Sequence, residues 1–172
     1  MSQSFDIVRD YYIAGLRNAH AMETQAIQLL TRQVERLESY PEMEARMRLH
    51  LRESEHQKLR LEEVLGSLNE EHSSLKDAAL GLVGNLAALA HSPAPDEVLK
   101  NTLANFAFEH FEIAAYKSLA VMAETFGDQN GITAAQQSLA EEEAMAQWIN
   151  DHIMPTTLQF LGRKEAGVKA DR

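Results

Sequence analysis

The chain has 172 residues, 45% of them apolar, with a net charge of −10 and no cysteine. That length and composition fit one folded domain, residues 1–172, with a real core rather than a disordered segment. The missing thiols exclude disulfide frameworks, zinc ribbons and cysteine nucleophiles, and the acidic balance argues against nucleic acid as a partner, since phosphate contacts need a basic surface.

No apolar run approaches the roughly 18 to 20 residues of a membrane span. The N-terminus lacks a basic segment followed by an apolar one, so a cytoplasmic protein with no membrane partner is expected. Any metal must be held by carboxylates and imidazoles, which favours harder ions.

From Phe5 to about Ser39 the positions Tyr12, Leu16, Ala19, Ala26, Ile27, Leu30, Val34 and Leu37 share one helical face, with Glu23 at its centre. Tyr40-Pro41 ends this helix and starts a second, because proline suits a first helical turn and disfavours helix in the residue before it. The second helix is expected over 41–65, stopped by Gly66. Its stripe is less tidy: Met43, Met47, Leu61, Val64 and Leu65 define it, with His50 near the middle, Glu53 on the flank and His56 farther round.

Residues 67–95 read as a connector carrying a small-residue helix over about 75–90, closed by Pro93 and Pro95. A link that long lets helices two and three run parallel. The third helix, 96–126, places Glu109 and Glu112 inside an apolar face that includes Phe108, Ile113, Tyr116 and Leu119. Isolated buried carboxylates are too costly to keep, so a pair of this kind calls for a partner or a metal.

After the turn Gly127-Asp128-Gln129-Asn130-Gly131, a fourth helix over 132–160 buries Ile132, Ala135, Leu139, Ala146, Ile149 and Ile153, with Pro155 interrupting or kinking it. Glu142 projects from the middle of that face. Its neighbours Glu141 and Glu143 point about 100° to either side, toward solvent.

Glu23 precedes Glu53, and Glu112 precedes Glu142, by the same 30 residues, so two helical hairpins place acids at matching heights. Four inward carboxylates at one level repel unless cations separate them. Glu53 also begins a Glu-x-x-His pattern with His56, which brings both side chains within reach of one metal. Taken singly, each acid reads as readily as a salt-bridge or hydrogen-bond partner. His20 and His50 read as core or flank residues, His72, His91 and His152 as surface or loop residues, and the methionines as core filling.

These features resemble a ferritin-like di-iron carboxylate protein, and specifically the bacterial YciE/YciF stress-protein family. The carrying residues are Met22 to Ile27, His50 to Ser54, Glu109 to Tyr116, and Glu141-Glu142. The resemblance implies an all-α, ferritin-like four-helix bundle with a long crossover connection between helices two and three. It implies metal ligands Glu23, Glu53, His56, Glu109 or Glu112, and Glu142, with Glu53 and Glu142 as bridges. Where the pattern expects histidine three residues after Glu142, this chain has Met145, a poor ligand for a hard ion.

Two functional readings follow. One is a two-ion centre of iron, or alternatively manganese, that oxidises Fe(II) or consumes dioxygen or peroxide. The other is a non-catalytic stress protein whose metal site is weak or degenerate. A homodimer is expected, as the commonest closed assembly.

Overall fold

The computed structural model describes residues 2–70 and 94–171. Four helices make up the described fold: α1 (Ser2–Val34), α2 (Pro41–Ser67), α3 (Glu97–Phe126) and α4 (Gln129–Glu165). They form an all-α bundle. The helix expected over 75–90 lies outside the described residues, as do His72 and His91. No helix among the described residues is long and apolar enough to cross a membrane.

Cross-helix bonds fix the directions. His20 meets Glu62, and Tyr116 meets Glu23 while Arg36 meets Glu97, so α2 and α3 both run antiparallel to α1. Arg60 reaches Ser138 and His152 reaches Glu42, so α4 runs antiparallel to α2. Helices α2 and α3 are therefore parallel, as a crossover connection requires.

Several boundaries differ from the sequence reading for local reasons. Helix α1 stops at Val34, because residues 35–40 turn to bury Leu37 and Tyr40 in the core. Helix α2 passes through Gly66 and ends at Ser67, followed by Asn69 in the left-handed region at φ 59°. Helix α4 starts three residues early, since Asp128 accepts from the Asn130 backbone N–H at 3.0 Å and caps it. It also continues through Pro155 to Glu165.

Beyond α4 the chain folds back. The Tyr40 hydroxyl donates to the Ala170 carbonyl at 2.7 Å, and the Val98 N–H donates to the Asp171 carbonyl at 2.9 Å. The tail thus closes the end of the bundle where α1 turns into α2 and α3 begins.

The apolar interior is in two parts. One, around Tyr12, Leu16, Leu61, Leu65 and Leu119, fills the end near the α3–α4 turn. The other, around Leu30, Met43, Met47, Met145, Ile149 and Phe160, fills the opposite end. Between them lies a layer of buried polar side chains from all four helices: Glu23, His50, Ser54, Gln57, Glu109, Glu112 and Glu142.

Two helical glycines at the same end of this scaffold, Gly66 near the end of α2 and Gly131 near the start of α4, have opposite roles. A Cβ on Gly131 would fall 1.7 Å from the Tyr12 hydroxyl, which is held by a 2.8 Å bond to Asp128, whereas a Cβ on Gly66 meets nothing. Gly131→Ala should therefore cost about 1–3 kcal/mol through overpacking. Gly66→Ala should stabilise by up to about 1 kcal/mol, because alanine is the better helix former. Denaturant unfolding of the two variants measures both signs; equal effects would mean that Tyr12 moves aside freely.

Candidate metal centre

The polar layer exists because the inward stripe of α2 is Met43, Met47, His50, Ser54, Gln57, Leu61 and Val64, alternating four and three residues apart. Glu53 and His56 each miss that rhythm by one. His56 is consequently exposed and takes no part in the site, and Glu53 is half-buried at its edge. The inward imidazole of α2 belongs to His50, which is fully buried.

His50, Glu109, Glu112 and Glu142 each offer a ligand atom, and these atoms all lie within 4.8 Å of one another. His50 Nε2 is 3.1 Å from Glu109 Oε2 and 3.5 Å from Glu142 Oε2, without making a hydrogen bond to either. Glu23 faces the same layer from α1, its Oε1 accepting the Tyr116 hydroxyl at 2.6 Å.

Partners outside the cluster fix the orientation of these groups. His50 Nδ1 lies 2.9 Å from Glu53 Oε2, which also accepts from Arg46 Nη1 at 3.0 Å. Burial alone would push the Glu53 carboxyl up, but the bonds from His50 and Arg46 hold it below the usual carboxylate range. An ionised carboxylate only accepts, so Nδ1 carries a proton and Nε2 is the nitrogen turned toward the acids. Glu53 therefore sits behind the imidazole rather than bridging ions.

On α4, Gln57 Nε2 donates to Glu142 Oε1 and, at 3.0 Å, to Glu141 Oε2. Arg60 donates to that same Glu141 oxygen. Glu141 is thus half-buried in a bridge to α2, not turned to solvent as its position in the triplet suggested. Glu143 is exposed and pairs with Lys117 at 2.9 Å. Met145, three residues after Glu142, is fully buried in the apolar cluster below the layer.

Burial and mutual repulsion raise Glu23, Glu112 and Glu142. Desolvation is the largest cause in each case: it lifts Glu23 to about 8 against the opposing Tyr116 bond. Glu112 rises well above its ordinary range, with Glu142, Glu23 and Glu109 adding to burial. Glu142 rises too, although His50 opposes the shift. For His50, burial would lower the value, but the Glu109, Glu53 and Glu142 carboxyls outweigh it and hold the ring protonated well above 6.5.

Two signals for the site were present in the sequence but pointed elsewhere. The four-three rhythm of α2 contains His50, Ser54 and Gln57, yet exposed Leu49 and Leu59 blur its phase. The Glu-x-x-His spacing of Glu53 and His56 suggested a different face.

Residues 8–162 match the family described as Domain of unknown function (DUF892). Solved structures share the architecture. A protein from Xanthomonas campestris pv. campestris has a TM-score of 0.76 at 28% identity, covering 92% of this chain and 99% of its own. The E. coli stress protein YciF has a TM-score of 0.70 at 23% identity, covering 86% and 94%. YcfI from Rhodopseudomonas palustris has 0.68 at 24%, covering 83% and 92%; these last two similarities speak for the fold alone.

The raised groups set the pH response of the ion-free protein. An acid whose folded value exceeds its unfolded one stabilises the fold below the unfolded value, 4.5 here, and loses that contribution as pH rises through the folded value, about 8 for Glu23. Glu112 and Glu142 act in the same direction, as does His50 above 6.5. Glu53, shifted down, matters only below 4.5. With chelator present, the melting temperature should fall steadily from about pH 5 to about pH 9. Calorimetry across that range checks this; a flat or rising profile would contradict the protonated layer.

Proposed function

This chain belongs to the DUF892 family, and we propose that its polar layer is a carboxylate-bridged dinuclear metal centre of ferritin-like type, taking two iron ions or manganese in their place. One observation carries the proposal. Buried and without a hydrogen bond are both oxygens of Glu112 and Glu23 Oε2, and likewise His50 Nε2, Glu109 Oε2 and Glu142 Oε2, which meet one another only as an ion pair at 3.1 and 3.5 Å. Each unpartnered buried polar atom costs about 1–3 kcal/mol, and more when charged. Cations satisfy all of them at once.

His50, Glu109, Glu112 and Glu142 would hold one ion. Glu23 and Glu112 would hold the other, with the unpartnered Ser54 Oγ and Gln57 Oε1 as neutral donors. Iron bound there supplies one-electron chemistry toward dioxygen or peroxide, so the activity proposed is Fe(II) oxidation coupled to removal of the oxidant. The stress-protein description of YciF supports a role in stress response.

The chain's own residues prepare this chemistry. Glu53 fixes the His50 ring and Gln57 fixes Glu142, so neither ligand has to reorganise when an ion arrives. Tyr116 holds one oxygen of Glu23 and leaves the other for the layer. The apolar clusters on either side keep bulk water out. Protons held by His50, Glu23, Glu112 and Glu142 leave on binding, so affinity rises with pH. A homodimer belongs to the same proposal, supported by exposed Met154, Leu158 and Leu161 on one face of α4.

A second reading, a non-catalytic stress protein with one weak position, is favoured by a specific feature. The Glu23 side of the layer has only neutral Ser54 and Gln57 from α2, and the cluster holds a single imidazole.

Metal binding to variants tests both. His50→Ala and Glu142→Ala should lose tight binding of Fe(II) or Mn(II), and Glu53→Ala should weaken it by about 10- to 100-fold through the lost imidazole support. His56→Ala should bind as the parent does. Elemental analysis and calorimetric titration read these directly. One ion per chain would select the second reading, and unaltered binding in Glu142→Ala would remove the site altogether.

A further inference from the structure

Two neighbouring cavities lie on the far side of the polar layer from the α3–α4 turn, the larger against α2 and α4 and the smaller against α2, α3 and α4. The outer one, about 170 Å³, is lined by Tyr40, Glu42, Met43, Trp148, His152 and Pro155, among others. The inner one, about 10 Å³, is lined by Met43, Met47, Asn105, Met145, Trp148 and His152, with Thr102 and Ile149. Met43, Trp148 and His152 border both, so the two cavities are neighbours.

Two of the shared side chains also bind each other. The Trp148 and His152 rings stack with centroids 3.8 Å apart and planes 16° from parallel. His152 Nδ1 is 2.6 Å from the Trp148 carbonyl, and Nε2 is 3.4 Å from Glu42 at the outer mouth.

The polar groups lining the inner cavity are engaged elsewhere. Thr102 donates to the Val98 carbonyl at 2.8 Å, and Asn105 is doubly paired with Gln33 at 2.8 and 3.2 Å. The lumen is left with thioethers and hydrocarbon. A water or hydrated ion entering it would find too few partners, since a buried water needs two to four. The volume admits about one molecule of water size.

The inner wall also stands next to the proposed centre. Met47 is three residues from His50 along α2, and Met145 three from Glu142 along α4, a rise of about 4.5 Å in each helix. We propose that this methionine-lined passage conducts dioxygen, a small uncharged oxidant with little need for hydrogen bonds, from the Glu42–His152 mouth to the His50 and Glu142 side of the layer. The proposal rests on the redox-metal function assigned above. It also gives the methionines of this face a task beyond filling the core.

Dioxygen is paramagnetic, so the passage can be tested without any metal. In protein labelled at the methionine methyls and kept ion-free, NMR under oxygen pressure should show several-fold larger paramagnetic relaxation at Met47 and Met145 than at Met22, which is equally buried but lies in the other cluster. Equal relaxation at all three would overturn the passage, whatever the metal does. In iron-loaded protein, Met43→Trp should fill the junction of the two cavities and slow oxidation of Fe(II) several-fold at limiting dioxygen, with Fe(II) affinity unchanged. Unchanged oxidation in a variant that binds Fe(II) normally would likewise overturn it. Failure of the parent to bind Fe(II) would instead sink the metal function, and the relaxation result would still decide the passage.

Discussion

Crowding of carboxyl groups in a dry interior is the constraint on which the rest of this bundle depends. Glu23, Glu109, Glu112 and Glu142 are all buried at one level, with a single imidazole among them. Without an ion, Glu23, Glu112 and Glu142 are kept there by holding protons, since desolvation, with neighbouring carboxyls adding to it, drives their titration upward. The supports around the layer follow from the same constraint. Tyr116, Gln57 and Glu53 each engage one atom of an inward residue and leave another facing the cluster, so orientation is fixed while valence is left open.

The layer also explains why polar residues of α2 and α4 outside the cluster are so densely tied. Glu141 accepts from both Gln57 and Arg60, and Arg60 reaches Ser138 as well. This bridge locks α2 against α4 at the height of Glu142. A helix carrying a buried acid must not rotate, since a turn of one residue would swing Glu141 or Glu143 inward in its place. The exposed Lys117–Glu143 pair contributes far less, as ion pairs in water do.

Fold class and most of the acids were legible from sequence because Glu23, Glu112 and Glu142 each share a helical face with regularly spaced apolar residues, even though α3 also exposes Leu103 and Val121 on its other side. An acid in the middle of such a face, as at Glu23, Glu112 and Glu142, can point only inward. Helix α2 was harder to phase. Three of its eight buried positions are His50, Ser54 and Gln57, while Leu49 and Leu59 lie outside, so polarity and burial are decoupled there. That drew the expectation to Glu53 and His56, whereas the imidazole facing the buried acids is that of His50. The early end of α1 and the return of the C-terminal tail depend on contacts between distant segments, Tyr40 with Ala170 and Val98 with Asp171, which no local pattern encodes.

The division of the interior into two apolar clusters has a bearing on how the bundle breathes. Every helix crosses the polar layer without interruption, so neither half can detach as a segment of chain. Cooperativity between the halves must pass through side chains that repel one another unless protons or ions intervene. Amide exchange should therefore be least protected where the helices cross that plane, and the two clusters should act as separate cooperative units when it is empty. An ion that bridges the four helices would merge them into one.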